Sequence, residues 1–231
     1  MRTVAIIQAR LGSTRLPAKI MLDLGGKTAL ERCLERVSRF RGLSEIVLAT
    51  TREAQDDLVV ALAKRLDVRI YRGDEKDVLR RYVEAAREAQ ADIVVRCTSD
   101  CPLLDPETSS KVIETFLNRH VSMDPVDYVS NNLERYLPLG LDTEVFSMSA
   151  LEKANRIADD ASEREHVTIA MYRRPEEFRC IPVRLNELGD LSGHRWTLDT
   201  LADYHFLASV FNKLGASADM ASMKDVLRAA N

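Results

Sequence analysis

The sequence is poor in several features that would quickly place a protein. Only four cysteines (Cys33, Cys97, Cys101 and Cys180) occur in 231 residues, and Cys97 and Cys101 have no second pair at zinc-ligand spacing. A disulfide framework and a zinc ribbon are thereby excluded, and reduced, buried thiols in a cytoplasmic protein are expected. No apolar run approaches the roughly 18 residues that span a bilayer. Met1-Arg2-Thr3-Val4 leads straight into a strand-like segment, so neither a membrane partner nor export is expected. A basic excess is also missing. The formal charge of −3 argues against a protein that tracks nucleic-acid phosphates, although a local cation cluster can still hold one small anion. With no repeat, low-complexity tract or linker, residues 1–231 are expected to fold as a single domain.

What is present is an ordinary globular balance, 45% hydrophobic and 30% charged, with enough apolar residues for a large core. Apolar runs of strand length alternate with segments of helical period. They predict strands over 3–9, 44–50, 68–72 and 92–98, with helices over 28–40, 55–66 and 76–90 between them. In the last of these helices Val78, Tyr82, Val83 and Ala86 share one face, as packing on a sheet requires. After Pro106 the rhythm loosens. A helix over 107–120 leads to 127–131, then to a strand over 143–147 that follows Pro138-Leu139-Gly140; the stretch 125–150 reads as an excursion on the alternating core. Helices over 149–158 and 162–173, a strand over 179–185 and a closing helix over 201–214 complete the chain. The pattern is that of an α/β domain with a mainly parallel sheet. In such sheets ligands bind outside the carboxyl ends of the strands, so residues just after each strand are the first candidates for function.

The segment after the first strand is Gln8-Ala9-Arg10-Leu11-Gly12-Ser13-Thr14-Arg15-Leu16-Pro17-Ala18-Lys19. It reads as a cradle for a triphosphate. Gly12 lets the backbone approach an anion, Ser13 and Thr14 add donors, and Arg10, Arg15 and Lys19 neutralise charge. Neither G-x-x-x-x-G-K-[ST] nor G-x-G-x-x-G occurs, which removes the P-loop and dinucleotide architectures. The alternative on composition alone, weaker than the cradle, is a solvated turn with incidental charges.

Its wording resembles the signature of the cytidylyltransferase superfamily, whose members activate 3-deoxy-manno-octulosonic acid and sialic-type acids. The resemblance is strongest to the spore-coat polysaccharide biosynthesis branch, SpsF-type. It recurs in Val47-Leu48-Ala49-Thr50, Arg72-Gly73, Asp77-Val78-Leu79 with Arg81-Tyr82, and Thr98-Ser99-Asp100-Cys101-Pro102-Leu103. Further matches are Gly140-Leu141-Asp142 with Glu144-Val145-Phe146, Glu163-Arg164-Glu165-His166-Val167-Thr168, and Arg195-Trp196-Thr197-Leu198-Asp199-Thr200. The resemblance implies a three-layer nucleotidyltransferase fold of the nucleotide-diphospho-sugar transferase type, with a mixed, mainly parallel sheet. It also implies CTP as a partner, held by Gln8, Ala9, Arg10, Gly12, Ser13, Arg15, Lys19, Thr50, Arg72, Gly73, Asp77 and Thr98, and a homodimer. Two departures stand out. Sugar-acid enzymes carry Pro-Ala-Arg where this chain has Gln8-Ala9-Arg10, and many relatives have glycine at the position of Ala18, from which residue 18 is expected not to need a positive φ.

Nucleotidyl transfer needs a divalent cation across the triphosphate, and Mg2+ favours one or two carboxylates plus phosphate oxygens and water. Asp100, directly after the fourth strand, is the first candidate ligand; its bland alternative is a turn residue before Cys101-Pro102. Asp199 resembles the family's second metal-binding aspartate; its alternative is a helix N-cap before Leu201. The polar stretch 131–142 lies where relatives bind the sugar acid and dimerise. Asn131, Arg135, Asp142, Glu144, Arg164, Glu165 and His166 are the acceptor candidates, with Arg135 and Arg164 suited to a carboxylate and Asp142 or His166 to proton transfer. Trp196 is read as core. The expected reaction is attack of an acceptor hydroxyl on the α-phosphorus of CTP, releasing pyrophosphate, with Arg10, Arg15, Lys19, Asp100 and Asp199 as the catalytic set. A glycosyltransferase using a nucleotide sugar and a non-catalytic nucleotide-binding module are the two rival readings.

Overall fold

Strands buried on both faces need apolar residues at successive positions, and alternation along the strand decides which layer each one meets. In the computed structural model, which describes residues 1–185 and 187–230, strand β1 (Thr3–Gln8) sends Ala5 and Ile7 to one face and Val4 and Ile6 to the other. The next strands β2 (Glu45–Thr51), β3 (Arg69–Gly73) and β4 (Ile93–Thr98) run parallel to it in the order β3-β2-β1-β4. Helices α1 (Ala29–Val37), α2 (Asp57–Arg65) and α4 (Pro106–His120) cover the face of Ala5 and Ile7. On the opposite face lie α3 (Val78–Glu88) and α5 (Met148–Ile157). Three layers result, as expected.

Two strands of the sheet's far half come from the stretch that reads as an excursion. The strand β6 (Glu144–Ser147) pairs antiparallel with β4, β5 (Tyr128–Ser130) pairs antiparallel with β6, and β7 (Cys180–Pro182) adds a parallel edge. Tyr128, Val129, Val145 and Phe146 are fully buried, so their apolar pattern belongs to the main sheet, and only the connection 131–143 leaves it. The edge strand is shorter than the expected 179–185 because its partner β5 ends at Ser130, whose carbonyl accepts the last bond from Val183 N at 2.8 Å.

The helix expected over 162–173 is broken. Helix α6 (Ala161–His166) ends where Val167 takes φ 60° and ψ −59°, and α7 (Ile169–Tyr172) starts afresh. Thr168 N donates to His166 O at 2.6 Å, which makes Val167 the centre of a γ-turn, a strained place for a β-branched residue. Burial is the visible return: the Val167 side chain is fully enclosed in the α3–α5 layer.

A third apolar cluster joins α8 (Leu201–Leu214) and α9 (Met223–Ala230) to Leu137, Leu141, Trp196 and Leu198. Trp196 is core, as read from the sequence. The final helix is absent from the sequence reading, although Ser222-x-x-Asp225 was there to mark its start; Ser222 Oγ donates to Asp225 Oδ2 at 2.6 Å. The buried Arg36 guanidinium fastens this C-terminal layer by donating to the carbonyls of Leu104, Ala218 and Ala221. Among the described residues no helix is long and apolar enough to cross a membrane.

Candidate active site

The strand order turns between β1 and β4, the place where an open α/β sheet leaves a crevice at its carboxyl end. A cavity of about 520 Å³ lies there. Gln8 and Thr98, the last residues of those two strands, form part of its floor.

After Gln8 the chain leaves the sheet and folds back on itself. Leu11 N donates to the buried carboxylate of Asp56 at 2.8 Å, and the Thr51 hydroxyl donates to the same group. Ser13 N and Ala18 N both return to Leu11 O. The loop therefore presents Ala9, Arg10, Gly12, Ser13, Thr14, Arg15 and Lys19 to the cavity. Asp56 is the anchor that the sequence reading missed, and nothing in its local pattern distinguishes it from a helix-start aspartate.

Ala18 overturns one expectation. Its φ is 52° and ψ 25°, so residue 18 does adopt the left-handed conformation that glycine accepts freely. The turn is required because Ala18 must hand the chain into the single 3-10 turn Lys19–Met21, with Met21 N donating to Ala18 O at 2.8 Å. Ala18→Gly is accordingly expected to stabilise the fold by up to about 1 kcal/mol, since relief of a left-handed alanine outweighs the extra unfolded-state entropy of glycine. A higher denaturation midpoint at unchanged slope checks this; a lower one means that methyl packing dominates.

Lys19 then reaches into the cavity. Its Nζ donates to Asp100 Oδ2 at 2.6 Å and to Asp199 Oδ1 at 2.8 Å. The two aspartates meet because Leu198 N and the Thr197 hydroxyl both donate to Asp100 O, at 2.8 and 3.3 Å. Neither aspartate is used up by its bland alternative. The N-cap of α8 is Thr200, in a capping box with Asp203, and the turn after Thr98 is closed by Cys101 N donating to Thr98 O. Asp199 also accepts from Arg15 at 2.8 Å and from Arg195 at 2.6 Å. Burial pushes the Asp199 carboxyl up, but Lys19, Arg15 and Arg195 hold it below its ordinary value. Burial likewise disfavours the Lys19 ammonium, yet Asp100 and Asp199 outweigh it and raise Lys19 above the usual lysine value. Two carboxylates that converge on one cationic point, beside a loop that presents Arg10 and Arg15 to the same cavity, form a donor set that fits Mg2+.

Other predicted residues are placed unevenly. Asp142, Glu165 and His166 line the same cavity. Arg135, Glu144 and His166 line a neighbouring cavity, also about 520 Å³, which shares Arg96 and His166 with the first. Arg135 forms a bidentate pair with Asp142 at 2.8 and 3.1 Å; burial raises the Asp142 carboxyl above its ordinary value in spite of that partner. Several candidates lie outside both cavities. Asn131 is buried and bonded to Leu141 O and Thr143 N, so it shapes the connection 131–143. Arg164 turns toward Asn155 and Ala158 at the end of α5. Thr50 is buried, Arg72 binds Thr51 O, Glu53 O and Asp57, Gly73 packs under Arg81 and Tyr71, and Asp77 caps α3 by accepting from Arg80 N.

The cavity also contains residues not singled out as site residues: Arg81, Arg96, Ser99, Cys101, Gly140 and Thr197. A lone arginine inside the apolar strand Ile93–Thr98 was the available signal for Arg96. Its guanidinium pairs with the buried Glu144, which also accepts from the Tyr128 and Thr168 hydroxyls at 2.7 and 2.6 Å. Gly140, at φ 109°, packs so close that a Cβ would stand 2.7 Å from the Trp196 carbonyl carbon. Burial pushes the Cys101 thiol well above its ordinary value, so a reactive thiolate is not what it offers.

The sequence profile of a family described as cytidylyltransferase matches residues 4–212. The spore coat polysaccharide biosynthesis protein SpsF of Bacillus subtilis is 31% identical over 222 residues, covering 94% of this chain and 89% of that protein. The 3-deoxy-manno-octulosonate cytidylyltransferase of Geobacter sulfurreducens is 30% identical over 215 residues, covering 82% and 84% respectively. Among solved structures, a cytidylyltransferase from Leptospira borgpetersenii serovar Hardjo-bovis superposes with a TM-score of 0.92 at 35% identity, over 99% of this chain and 93% of that one.

Proposed function

This chain belongs to the cytidylyltransferase family, and from that premise we propose that it transfers CMP from CTP to a hydroxyl of an acidic sugar or related acceptor, using Mg2+ and releasing pyrophosphate. The observation that carries the reading is the meeting of Asp100 and Asp199 on Lys19 at the mouth of the Arg10–Lys19 loop.

In this mechanism the triphosphate lies along the loop, where Arg10, Arg15 and Lys19 bind its oxygens and Ser13 adds a donor. Asp100 and Asp199 hold the cation. Magnesium, when bound, supplies neutralisation of the charge that builds on the α-phosphorus oxygens and on the departing pyrophosphate. Gln8 and Thr98 form the floor beneath the nucleotide. The acceptor enters from the side of Asp142, Glu165 and His166; its carboxylate takes over the Arg135 guanidinium that pairs with Asp142 in the free protein, which releases Asp142 to take the proton of the attacking hydroxyl. Displacement is direct, with no covalent enzyme intermediate; the raised Cys101 thiol accords with that. The relatives named for spore coat polysaccharide and for 3-deoxy-manno-octulosonate support an acceptor of the sugar-acid class and a place in glycoconjugate synthesis. A homodimer is part of the same reading, and a stable monomer in sedimentation would count against it.

The direct test is pyrophosphate release with Mg2+, offering CTP, UTP, GTP or ATP against a panel of acidic sugars, 3-deoxy-manno-octulosonate included. Release that requires CTP and one acceptor is expected. Release of a free nucleoside diphosphate from a nucleotide sugar, with no CTP-dependent pyrophosphate, would replace this reading by a glycosyltransferase.

A further inference from the structure

The two aspartates are charge-balanced before any metal arrives. One ammonium, Lys19 Nζ, occupies the point that both carboxylates reach, at 2.6 and 2.8 Å. Arg15 and Arg195 add two more cations to Asp199. Arg195 also pairs with Asp203 at 2.9 Å, so three cations face three carboxylates and the local charge is balanced.

A dication arriving alone meets a filled position and no net negative charge. It can bind between Asp100 and Asp199 only if the ammonium leaves. The Lys19 side chain is just 12% exposed, and among the described residues Asp100 and Asp199 are the carboxylates within ion-pair distance of it. Its departure without a new partner would strand a poorly hydrated charge. A triphosphate in the same cavity changes both conditions. It offers anionic oxygens within the arc of the flexible lysine stem, and its own charge makes the balanced site anionic. Lysine suits this exchange better than arginine, because its point charge can be handed from one oxygen to another without rebuilding a planar fork.

Resting on the reading that CTP and a divalent cation use this site, we propose that Lys19 keeps the metal position closed until nucleotide draws its ammonium away. Lys19 is then a positioning residue with two stations, the aspartate pair in the free enzyme and the phosphates in the complex. Metal and nucleotide bind with positive coupling, and each tightens the other by the same factor.

The experiment is Mn2+ titration of the full chain without nucleotide, followed by electron paramagnetic resonance. Wild type is expected to show weak binding, and Lys19→Met to bind Mn2+ at least about tenfold more tightly, within the usual range of such couplings. Arg15→Met removes the same charge from Asp199 without vacating the point between the carboxylates, and is expected to gain far less. Lys19→Gln serves as a second variant, and thermal melts verify that each protein is folded. If Lys19→Met and Lys19→Gln bind Mn2+ no better than wild type while wild type binds it with CTP, the closure is wrong and the site reading stands. An equal gain in Arg15→Met reduces the effect to net charge and also overturns the closure. If the gain in Lys19→Met survives Asp100→Asn and Asp199→Asn, the cation lies elsewhere, and the underlying site reading falls with it.

Discussion

Asp100→Asn is expected to lower turnover by about a thousandfold while leaving the protein folded, because it removes one anionic ligand at the centre of charge development without changing side-chain volume. The structural cost is small. The carboxylate is a quarter exposed and bonds chiefly to Lys19, while its backbone carbonyl, which ties 197–199 to the strand end, is untouched by the substitution. Loss of a partly exposed ion pair is worth about 1 kcal/mol or less. Steady-state pyrophosphate release and a thermal melt together check this. The reading of Asp100 is sunk by a folded variant that keeps a tenth of wild-type turnover with an unchanged metal requirement. Asp199→Asn should behave alike in turnover, with a larger change in stability, since Asp199 accepts from Lys19, Arg15 and Arg195 together.

The largest expected effect on stability comes from Arg96→Met, which leaves Glu144 buried without its cation. Breaking such a pair from one side costs about 3–5 kcal/mol, whereas replacing both partners by apolar residues is often neutral. Arg96→Met is therefore expected to be strongly destabilised, and Arg96→Met/Glu144→Leu to recover most of the loss. The dependence on pH has a definite sign. Burial in wild type pushes the Glu144 carboxyl up, but Arg96 and the Thr168 and Tyr128 hydroxyls outweigh it and hold the group below its ordinary value. Its contribution is thus fully present above the unfolded value and is lost as pH falls through the folded one. In Arg96→Met burial dominates, the folded value rises, and the penalty eases as the carboxyl takes up a proton on acidification. The stability gap between wild type and variant should therefore be widest near neutrality and narrow toward pH 4. Denaturant midpoints measured at several pH values test it. A gap that does not change with pH would mean that Glu144 is not the unpaired group.

How much of this site could be read from the sequence depended on whether the cause was local. The loop proposed for the triphosphate was legible because Arg10, Gly12, Ser13, Thr14, Arg15 and Lys19 fall within ten residues and follow an apolar strand. Asp100 was legible for the same reason, lying two residues past the end of β4. Asp199 was found by resemblance; its nearest visible task, capping α8, belongs to Thr200. Arg164 shows the opposite case. Its motif marked it as an acceptor candidate, but the start of α6 turns it to the end of α5, where it serves Asn155 and Ala158. Arg96 passed unremarked because a charge in a strand acquires meaning only from what faces it, and Glu144 comes from a strand 48 residues further on.

Period and composition alone determined the alternation of strands and helices, the mainly parallel sheet and the position of the loop at a strand end, since each follows from neighbours within a few residues. Only the tertiary structure decided that residues 128–130 and 144–147 belong to the main sheet, that Val167 breaks a helix and that Ala18 turns left-handed. It alone brought Asp100 and Asp199 onto one ammonium. These outcomes depend on burial and charge pairing between segments far apart in the chain, and such energies are defined only once the layers have closed.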